Sequence, residues 1–412
     1  MNSDVLVLGA GIVGLGIALN LQEKGRSVIL VDRSGPGEET SFGNAGLIQC
    51  EAVHPYTFPD DPVTLIQAAL NIRVDARYQW SSLKSVAPWL YQYWRQSAPD
   101  KVAASTAARA PLFALCLAEH DKLAAAAGAS AQLRRGGWIK IARNEKTLAT
   151  EIKRANELVE YGVQSEVLDH RQLAAAEPHL MGPLIGGVHW KDPYSLAEPL
   201  ALSRAYADLF LKRGGQFASA DARSLAEEAN GWSVAGLDGR ITARDCVVAL
   251  GPWANDITEP LGYAMPLGVK RGYHMHYRTV GNATLNLPVL DGDTGYLIAP
   301  MTHGIRLTTG AEFAERDAPP SYVQLELAEP VARGLFPIGD RADSVPWMGR
   351  RPCTPDMVPV MGPAPRHKGL WFSFAHAHHG LTLAGSAGRF MAELITGETP
   401  FCDPAPYRAD RF

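Results

Sequence analysis

Apolar residues form an uninterrupted run at Val5–Leu8, which is typical of a strand buried in a parallel sheet. Apolar positions then recur at helical spacing over Ile12–Lys24, and Gly25 follows, where glycine commonly ends a helix. A second apolar run covers Ser27–Val31. The pattern therefore predicts a strand, a helix and a second strand in this part of the chain.

The turn between the first strand and the helix has the spacing GxGxxG, at Gly9, Gly11 and Gly14. The first glycine permits a tight turn, the second lets a pyrophosphate approach the backbone, and the third lets helix and strand pack closely. Asp32 ends the second strand, where a carboxylate can accept hydrogen bonds from a ribose diol. This order predicts a dinucleotide site and favours FAD or NAD over NADP, although a tight turn without a ligand would use the same glycines.

The rest of the sequence alternates between helical and strand patterns. Apolar residues at helical spacing mark 75–127, where Pro88 is expected to break or kink the helix. The same spacing predicts helices at Glu151–Tyr161, Ala197–Arg213 and Leu381–Ile395. Strand patterns lie at Leu133–Ile141, Gln216–Ser224, Gly231–Ala235, Cys246–Leu250, Tyr273–Tyr277, Tyr296–Ala299, Ile305–Thr309 and Leu370–Phe374.

Two further glycine-rich segments lie far apart in the sequence. Glu39–Gly46 follows shortly after Asp32, and His376–Gly385 follows the predicted strand Leu370–Phe374. Each segment predicts a loop whose backbone can face a ligand, and a plain surface loop has a similar composition. One extended cofactor held by both ends of the chain would explain the pair, and FAD is long enough for this.

The composition excludes several classes of protein. Lys and Arg number 39 and Asp and Glu number 43, so the formal charge of −4 offers no basic surface for nucleic acid. Five cysteines are scattered without a CxxC pair, which argues against a disulfide framework, a zinc site or an iron–sulfur cluster. We expect a cytoplasmic protein with no targeting segment before the first strand.

An aromatic run at Pro88–Arg95 contains Trp89, Tyr91, Tyr93 and Trp94. Within a core helix these residues need no further explanation. On an exposed surface they would suit a membrane interface, where Trp and Tyr lie beside a flanking Arg. A peripheral contact with the inner face of the membrane therefore stays open.

Over nearly its whole length the chain resembles the FAD-dependent D-amino acid dehydrogenases, within the superfamily of D-amino acid oxidase and glycine oxidase. The glycine fingerprint alone is generic, whereas the GRRP segment together with the C-terminal glycine loop is much more specific. The stretches that carry the resemblance are Gly9–Gly14 with Asp32, Glu39–Gly46 (ETSFGNAG), Ala249–Ala254 (ALGPWA), Gly349–Gly362 (beginning GRRP) and His379–Thr382 (HGLT).

The resemblance implies an α/β fold with a Rossmann-like FAD-binding domain and an interleaved mixed-sheet substrate domain. We predict that 1–75, 150–260 and 335–412 form the FAD-binding domain, and that 76–149 and 261–334 form the substrate-binding domain. FAD is expected to be noncovalent, because Cys353 does not stand where some sarcosine oxidases form a flavin thioether. The residues expected to bind FAD are Gly9, Gly11, Ile12, Val13, Gly14, Asp32, Arg33, Ser41, Asn44, Ala45, Gly46, Leu47, Arg223, Ala249, Gly251, Trp253, Gly380, Leu381 and Thr382.

Arg351, in the GRRP segment, is expected to bind a substrate carboxylate. A guanidinium holds a carboxylate through two parallel hydrogen bonds, which fix both the distance and the plane of the substrate. In the oxidases that this segment resembles, the arginine before proline has this role. The alternative is an arginine in a surface salt bridge, and the neighbouring Arg350 is expected to point elsewhere.

Three further residues are candidates for the substrate pocket. Tyr273 and Tyr296 lie on predicted strands, where tyrosine either lines a pocket or packs within a sheet. His379, in the C-terminal glycine loop, is expected either to contact the flavin or the substrate, as His378 would, or to pack within the loop. The clustered histidines lack the carboxylates or thiolates of a metal site, so no metal is expected.

The predicted function is the FAD-dependent dehydrogenation of a D-amino acid, by hydride transfer to flavin N5, to an imino acid that hydrolyses to a 2-oxo acid. The expected partners are a small amino or imino acid as substrate and a quinone or another electron acceptor. No side-chain acid or base is strictly required, because the cofactor carries the difficult step. Two alternatives stay open: oxidation of a cyclic or N-methyl amino acid such as D-hydroxyproline or sarcosine, and a noncatalytic FAD-binding subunit of a hetero-oligomer.

Overall fold

The computed structural model describes residues 1–237 and 239–412, and its strands form two large sheets and a small two-stranded one. The strands, in chain order, are β1 (Asn2–Leu8), β2 (Val28–Asp32), β3 (Leu47–Ile48), β4 (Ala76–Tyr78), β5 (Trp138–Ala142), β6 (Ser165–Asp169), β7 (Gly186–Trp190), β8 (Tyr194–Ser195), β9 (Gln216–Ser219), β10 (Ala226–Glu228), β11 (Gly231–Gly236), β12 (Gly239–Val248), β13 (Gly268–Thr279), β14 (Val289–Asp291), β15 (Leu297–Met301), β16 (Gly304–Thr308), β17 (Ala311–Phe313), β18 (Ile338–Arg341), β19 (Trp347–Cys353), β20 (Val360–Pro363) and β21 (Leu370–Phe374). The α-helices are α1 (Ile12–Glu23), α2 (Pro62–Ala69), α3 (Leu83–Gln96), α4 (Pro99–Ala126), α5 (Glu145–Leu158), α6 (His170–Ala176), α7 (Pro199–Lys212), α8 (Asn255–Thr258), α9 (Val323–Leu335) and α10 (Gly380–Thr396).

The first large sheet has eight strands, in the order β10-β11-β12-β1-β2-β9, with β21 beside the second half of β12 and β20 beside β21. Strands β12, β1, β2 and β9 are parallel, and β21 joins β12 in parallel. All four residues of the apolar run Val5–Leu8 are fully buried, as expected for a parallel strand that is covered on both faces. Strands from the start, the middle and the end of the sequence therefore build one sheet.

Helices α1 and α10 cover one face of this sheet and pack closely against each other. A side chain at Gly16 would overlap the carbonyl oxygen of Ala384, and a side chain at Gly388 would overlap that of Gly16. Only glycine permits this close approach of the two backbones. The contact brings the start of α10 to the turn between β1 and α1, where an added Cβ on Gly380 would lie 3.7 Å from the Val13 side chain.

The second large sheet has eleven strands, in the order β4-β17-β13-β16-β15-β14-β5-β7-β6, with β18 and β19 also paired to β13. Antiparallel pairing of β13 with β19 puts Lys270 opposite Arg351. Residues that are directly opposite in such a pair have side chains on the same face, so these two cations are neighbours. The alternate residues of β13, including Met275 and Tyr277, pack against α9 on the other face.

Several observed boundaries differ from the predicted ones. The region predicted as helical, 75–127, contains β4 before α3 and α4, and α3 continues through Pro88. Within the segments predicted for the FAD-binding domain, 150–260 and 335–412, strands β6, β7, β18 and β19 belong to the second sheet instead. A strand pattern shows which side chains are buried but not which sheet the strand joins, and this explains the difference.

Helix α4 is long and apolar enough to cross a membrane by length and composition. It nevertheless carries the buried polar side chains Arg109, Glu119 and His120. Arg109 donates to the backbone carbonyls of Ala52 and Val53 at 2.6 and 2.9 Å. Because α4 also packs against α10 and α7, it is a core helix of this fold.

Candidate active site

A cavity of about 1040 Å³ extends from the glycine turn of the first sheet to the face of the second sheet that carries Lys270 and Arg351. Its lining also includes residues of the segment 39–49, the loop 56–59 and the start of α10. Pockets that enclose small-molecule ligands usually have volumes of about 300–1,000 Å³. The cavity is therefore large enough for an extended cofactor together with a small substrate.

The turn between β1 and α1 forms one end of the cavity. Gly9 has a φ of +108°, and a side chain at this position would overlap the carbonyl group of Ala249. A Cβ at Gly11 would meet only the Ser41 hydroxyl, at 3.4 Å, so the backbone at Gly11 is open toward the cavity. This is the arrangement that a pyrophosphate needs for close approach to the chain.

The N-terminus of α1 points at the same end of the cavity. The N–H of Ile12 donates to Oγ of Ser41 at 3.0 Å, which fixes the segment 39–46 against the helix. The first intrahelical hydrogen bond runs from Leu15 to Gly11, so the N–H of Val13 has no acceptor within the helix. Free N–H groups and the positive end of the helix dipole together favour a phosphate group here.

The carboxylate of Asp32 lies at the end of β2, beside the glycine turn. Its Oδ2 accepts a hydrogen bond from the N–H of Ala10 at 2.7 Å, and its Oδ1 accepts one from the N–H of Ser34 at 3.1 Å. The guanidinium of Arg33 lies 4.3 Å from the centre of the Trp253 ring, and all of these elements border the cavity. An acid and a flat surface at this end suit the ribose and the adenine of a dinucleotide.

The C-terminal glycine loop forms another wall of the cavity. Ala375 and Ala377 have φ values of +62° and +51°, a backbone region that residues with a side chain seldom adopt. Such conformations persist where the surrounding structure fixes them, and they are common at ligand sites. Gly380 and Leu381, the first residues of α10, line the cavity. The cavity therefore receives the N-termini of two helices, α1 and α10, which both favour negative charge.

Arg351 lines the cavity from β19, and its guanidinium covers the backbone of Gly272, where a side chain would overlap it. Its Nη1 donates to the carbonyl groups of Gly310 at 2.7 Å and Arg271 at 3.4 Å, and its Nη2 donates to that of Thr309 at 3.4 Å. These bonds use three of the five N–H groups of a guanidinium. The Nε–H and one Nη2–H remain, and together they form an edge that can bind a carboxylate through two hydrogen bonds.

The two arginines of the GRRP segment have different surroundings. Arg350 donates to the carbonyl of Arg316 at 2.9 Å and lies 3.9 Å from the carboxylate of Asp317. In the parts of the chain that the structure describes, no carboxylate lies within 4.0 Å of the Arg351 guanidinium. Burial lowers the pKa of Arg351, but an arginine stays charged in a protein. A charge of this kind favours an anionic ligand.

Of the two tyrosines predicted to form pocket walls, Tyr273 borders the cavity and Tyr296 does not. The hydroxyl of Tyr273 donates to Glu312 at 2.5 Å and accepts from the N–H of Ser321 at 3.0 Å, although Tyr273 does border the cavity. Tyr296 is fully buried in the core beneath α9 and does not line the cavity, which corrects the prediction for this residue. Side chains along a strand alternate between its faces, and the sequence alone did not show which face turns inward.

His379 also lies outside the cavity lining, which corrects its assignment to the substrate pocket and agrees with the alternative of packing, and the preceding residue, His378, lines the cavity instead. The Nδ1 of His379 lies 3.5 Å from Nη2 of Arg109, and its ring meets Phe113 edge-on at 5.1 Å. Burial, assisted by the charge of Arg109, lowers the pKa of His379 well below its usual range. The ring of His378 packs 4.9 Å from that of Tyr56. Successive residues at a helix start point in different directions, which accounts for the one-residue difference.

Most of the residues predicted to bind FAD line the cavity. Gly14 instead packs against the carbonyl group of Gly9, and Gly46 packs against the backbone of Leu196. Thr382 accepts a hydrogen bond from the N–H of Gln49 at 3.1 Å. The predicted residues that do line the cavity are Gly9, Gly11, Ile12, Val13, Asp32, Arg33, Ser41, Asn44, Ala45, Leu47, Arg223, Ala249, Gly251, Trp253, Gly380 and Leu381.

An aromatic part of the cavity was not found by sequence reasoning. It is formed by Tyr56, Phe58, Tyr93 and Phe313, and the ring centres of Tyr93 and Phe313 lie 4.0 and 5.5 Å from the ammonium group of Lys270. Lys270 comes from β13, whereas the aromatic residues come from other segments of the chain, so no continuous stretch of sequence marks this part of the cavity.

The described residues, 1–237 and 239–412, contain neither a cluster of metal ligands nor a disulfide. No group of three or more His, Cys, Asp and Glu side chains there is arranged to hold a metal ion. All five cysteines are free. Cys353 is buried in a cluster with Tyr93 and Met357 and does not line the cavity.

Comparison with known proteins agrees with this geometry. The family model DAO, described as FAD dependent oxidoreductase, matches residues 4–394. The chain is 28% identical over 428 residues to a D-amino acid dehydrogenase of Granulibacter bethesdensis, with 99% of each chain covered. It is 27% identical over 425 residues to a D-amino-acid oxidase of Bradyrhizobium diazoefficiens, covering 99% of this chain and 98% of the relative. Among solved structures, glycine oxidase from Geobacillus kaustophilus has a similar fold, with a TM-score of 0.76, 21% identity, and 100% and 99% of the two chains covered.

Because the family model covers nearly the whole chain, the protein belongs to the DAO family of FAD-dependent oxidoreductases. It is an enzyme of this family, its fold is the family's mixed α/β fold, and its cofactor is FAD. The residues fit that cofactor: the open backbone at Gly11 and the acid Asp32 suit its adenosine and pyrophosphate, and the start of α10 suits a ring that gains negative charge. The relatives are named for different activities, so their names do not define the substrate or the electron acceptor of this enzyme.

Proposed function

We propose that the protein dehydrogenates a D-amino acid to the imino acid, which water then hydrolyses to a 2-oxo acid and ammonia. The observation that carries the proposal is that Arg351 lines the cavity, keeps two guanidinium N–H groups without a protein acceptor, and has no protein carboxylate beside it in the described residues. The relatives named D-amino acid dehydrogenase and D-amino-acid oxidase, which align over nearly full length, support the choice of substrate class. When bound, FAD supplies the acceptor for the two electrons that leave the substrate.

In this proposal, Arg351 binds the α-carboxylate and thereby fixes the position of the substrate Cα. The side chains of Tyr56, Phe58 and Phe313 border the remaining space and exclude water from it. Burial and the nearby charge of Arg351 lower the pKa of His378 well below its usual range, so this imidazole is neutral. The charge of Arg351 also disfavours a second positive charge close to it, which helps the substrate amine to lose its proton. The dehydrogenation needs the amine in that unprotonated form.

Anaerobic titration of the purified holoenzyme with single amino acids tests the proposal. We expect D-isomers to bleach the flavin absorbance and the matching L-isomers to leave it unchanged. Bleaching by sarcosine or D-hydroxyproline, but by no primary D-amino acid, would identify the cyclic or N-methyl alternative. A flavin that no amino acid reduces would support a noncatalytic FAD-binding subunit.

We further propose that a quinone, rather than oxygen, accepts the electrons, and that an apolar surface near the cavity contacts the membrane where quinones are dissolved. None of the α2 residues is buried, and Val63 and Ile66 are 64% and 60% exposed. On α3, the next α-helix in the sequence, Trp94 is 56% exposed. By contrast, the indole N–H of Trp89 donates to the carbonyl groups of Pro266 and Cys353, both at 3.2 Å. Exposed apolar side chains of this kind suit an interface.

Two measurements test the acceptor and the membrane contact. With one substrate, the reduction of a quinone or dye is expected to exceed the formation of peroxide in air by at least about tenfold, and equal rates would identify an oxidase. In vesicle sedimentation, Trp94→Ser is expected to reduce binding without changing Tm. Trp89→Ser is the matched control, because it changes the packed and hydrogen-bonded tryptophan of the same helix, and it is expected to lower Tm. Binding that Trp94→Ser leaves unchanged would contradict the contact.

A further inference from the structure

Lys270 is a buried ammonium group without an anionic partner in the described chain. Only 3% of the residue is exposed. Its Nζ lies 4.0 Å from the centre of the Tyr93 ring, 5.7 Å from that of Trp89 and 5.5 Å from that of Phe313. Its one hydrogen-bond contact is with the Met357 sulfur, at 4.0 Å. Since an ammonium has three N–H donors, at least two of them have no protein acceptor in the residues described.

The surroundings keep this ammonium charged and leave it within reach of a ligand. Aromatic faces attract a cation, and the three rings provide that attraction. Burial lowers the pKa of Lys270 to about 8, so the protonated form still predominates at neutral pH. Lys270 lines the cavity together with Tyr93 and Phe313. A group that enters the cavity can therefore meet a charged donor.

Lys270 and Arg351 form a pair of cations on one face of the second sheet. They are directly opposite in the pairing of β13 with β19, and the charge of Arg351 contributes to the lowered pKa of Lys270. Two buried like charges repel each other, and each also loses hydration, so the pair is unfavourable without anions. A ligand with two negative groups would remove both penalties.

The geometry points to Lys270 as a second anion subsite, which binds a carboxylate on the substrate side chain. The inference rests on the proposed function, in which Arg351 holds the α-carboxylate. The free Nε–H and Nη2–H of Arg351 already suffice for one carboxylate, so that group does not require Lys270. The rings around Lys270 offer no other strong donor for an anion. The substrate class is therefore the acidic D-amino acids.

Amide analogues of the same shape provide the test. We expect kcat/KM of the holoenzyme to be at least about tenfold higher for D-glutamate than for D-glutamine, or for D-aspartate than for D-asparagine. Lys270→Met keeps the length of the side chain and removes its charge. It is expected to lower kcat/KM about 100-fold for the acidic substrate and by less than about threefold for the amide, because only the carboxylate loses a charged partner.

Two further variants separate local recognition from general effects. Lys84→Met removes a positive charge from the exposed side of α3, and we expect it to leave the acid-to-amide ratio unchanged. Lys270→Gln retains a polar group of similar length and is expected to act like Lys270→Met. If either Lys270 variant lowers acid and amide activities in parallel, Lys270 only maintains the cavity or shares the α-carboxylate, and the inference is wrong.

Equilibrium binding provides a readout that does not depend on turnover. Glutarate is expected to perturb the spectrum of the oxidised flavin at a concentration at least about tenfold lower than butyrate, and Lys270→Met should abolish that difference. If no amino acid reduces the flavin but glutarate still binds through Lys270, the proposed function fails and the subsite stands. If neutral D-amino acids react as well as acidic ones and glutarate has no advantage, the subsite is refuted and the proposed function stands.

Discussion

Replacing Arg351 with alanine is expected to leave FAD bound and to lower kcat/KM for a D-amino acid by more than 100-fold. The guanidinium offers two free N–H groups on one edge to a carboxylate. Hydrogen bonds to charged groups contribute about 1.5–3 kcal/mol each, so two of them amount to about 3–6 kcal/mol. Each 1.4 kcal/mol corresponds to a factor of ten, which gives a loss of roughly 100- to 20,000-fold.

The binding of FAD is expected to survive this substitution, because the groups that suit its adenosine half lie at another part of the cavity. Asp32 and the turn at Gly9 belong to the first sheet, whereas Arg351 belongs to β19 of the second sheet. The flavin absorbance per mole of protein should therefore equal that of the unaltered enzyme. Anaerobic rapid mixing with a D-amino acid then measures reduction of the flavin separately from its reoxidation.

Two further variants, Arg351→Lys and Arg350→Ala, test whether Arg351 is the carboxylate site. Lysine provides a single point of charge and cannot bind a carboxylate through two parallel hydrogen bonds. The kcat/KM of Arg351→Lys should therefore exceed that of Arg351→Ala by less than about tenfold. Arg350 lies beside Asp317, and its removal is expected to change kcat/KM by less than about threefold. Normal kinetics in Arg351→Ala together with a large loss in Arg350→Ala would refute the assignment of the carboxylate site.

Three other expectations concern the cofactor, the cavity wall and the pH dependence. The purified protein should be yellow and release FAD on denaturation; release of FMN or NAD instead would contradict the site. Gly272→Ala should raise KM by at least about tenfold with FAD retained, because a methyl group there displaces the Arg351 guanidinium, and an unchanged KM would count against that packing. Burial raises the pKa of Glu51 from its usual value to about 7, so its contribution to stability is complete below about pH 4.5 and is lost as the pH rises through 7. Glu51→Gln, which keeps an acceptor for the indole of Trp138, should make Tm fall less between pH 5 and 8, and an equal fall would contradict this.

The local parts of the site were predictable because neighbouring residues encode them. Strand β1, the glycine turn, α1 and Asp32 form one continuous segment, and each residue type there follows from steric or electrostatic needs of a dinucleotide. Arg351 was singled out by the resemblance of its GRRP segment, and the structure places it in the cavity lining. The structure also brings the C-terminal loop to the glycine turn, as one long cofactor would require.

The remaining errors arise where a side chain depends on distant pairing. Leu297 lines the cavity, whereas the preceding residue, Tyr296, does not. The sequence alone does not show which of two successive side chains points into the cavity. His378 and His379 differ in the same manner at the start of α10. Lys270 could be assigned to an anion subsite only from its position opposite Arg351, which depends on how β13 pairs with β19. Pairing between strands from separate parts of the chain sets all of these positions.

The contact between Gly16 and Gly388 has a consequence for the synthesis of the protein. The ribosome delivers α1 early, but β21 and α10, which complete the sheet beside β12 and cover α1, emerge only after the whole second sheet. During most of translation, the apolar surfaces of β12 and α1 are therefore not yet covered by β21 and α10. We expect chaperones to bind these exposed apolar surfaces. We expect the nascent chain to retain FAD only after α10 has left the ribosome. Binding of FAD would then occur at the end of folding rather than at its beginning.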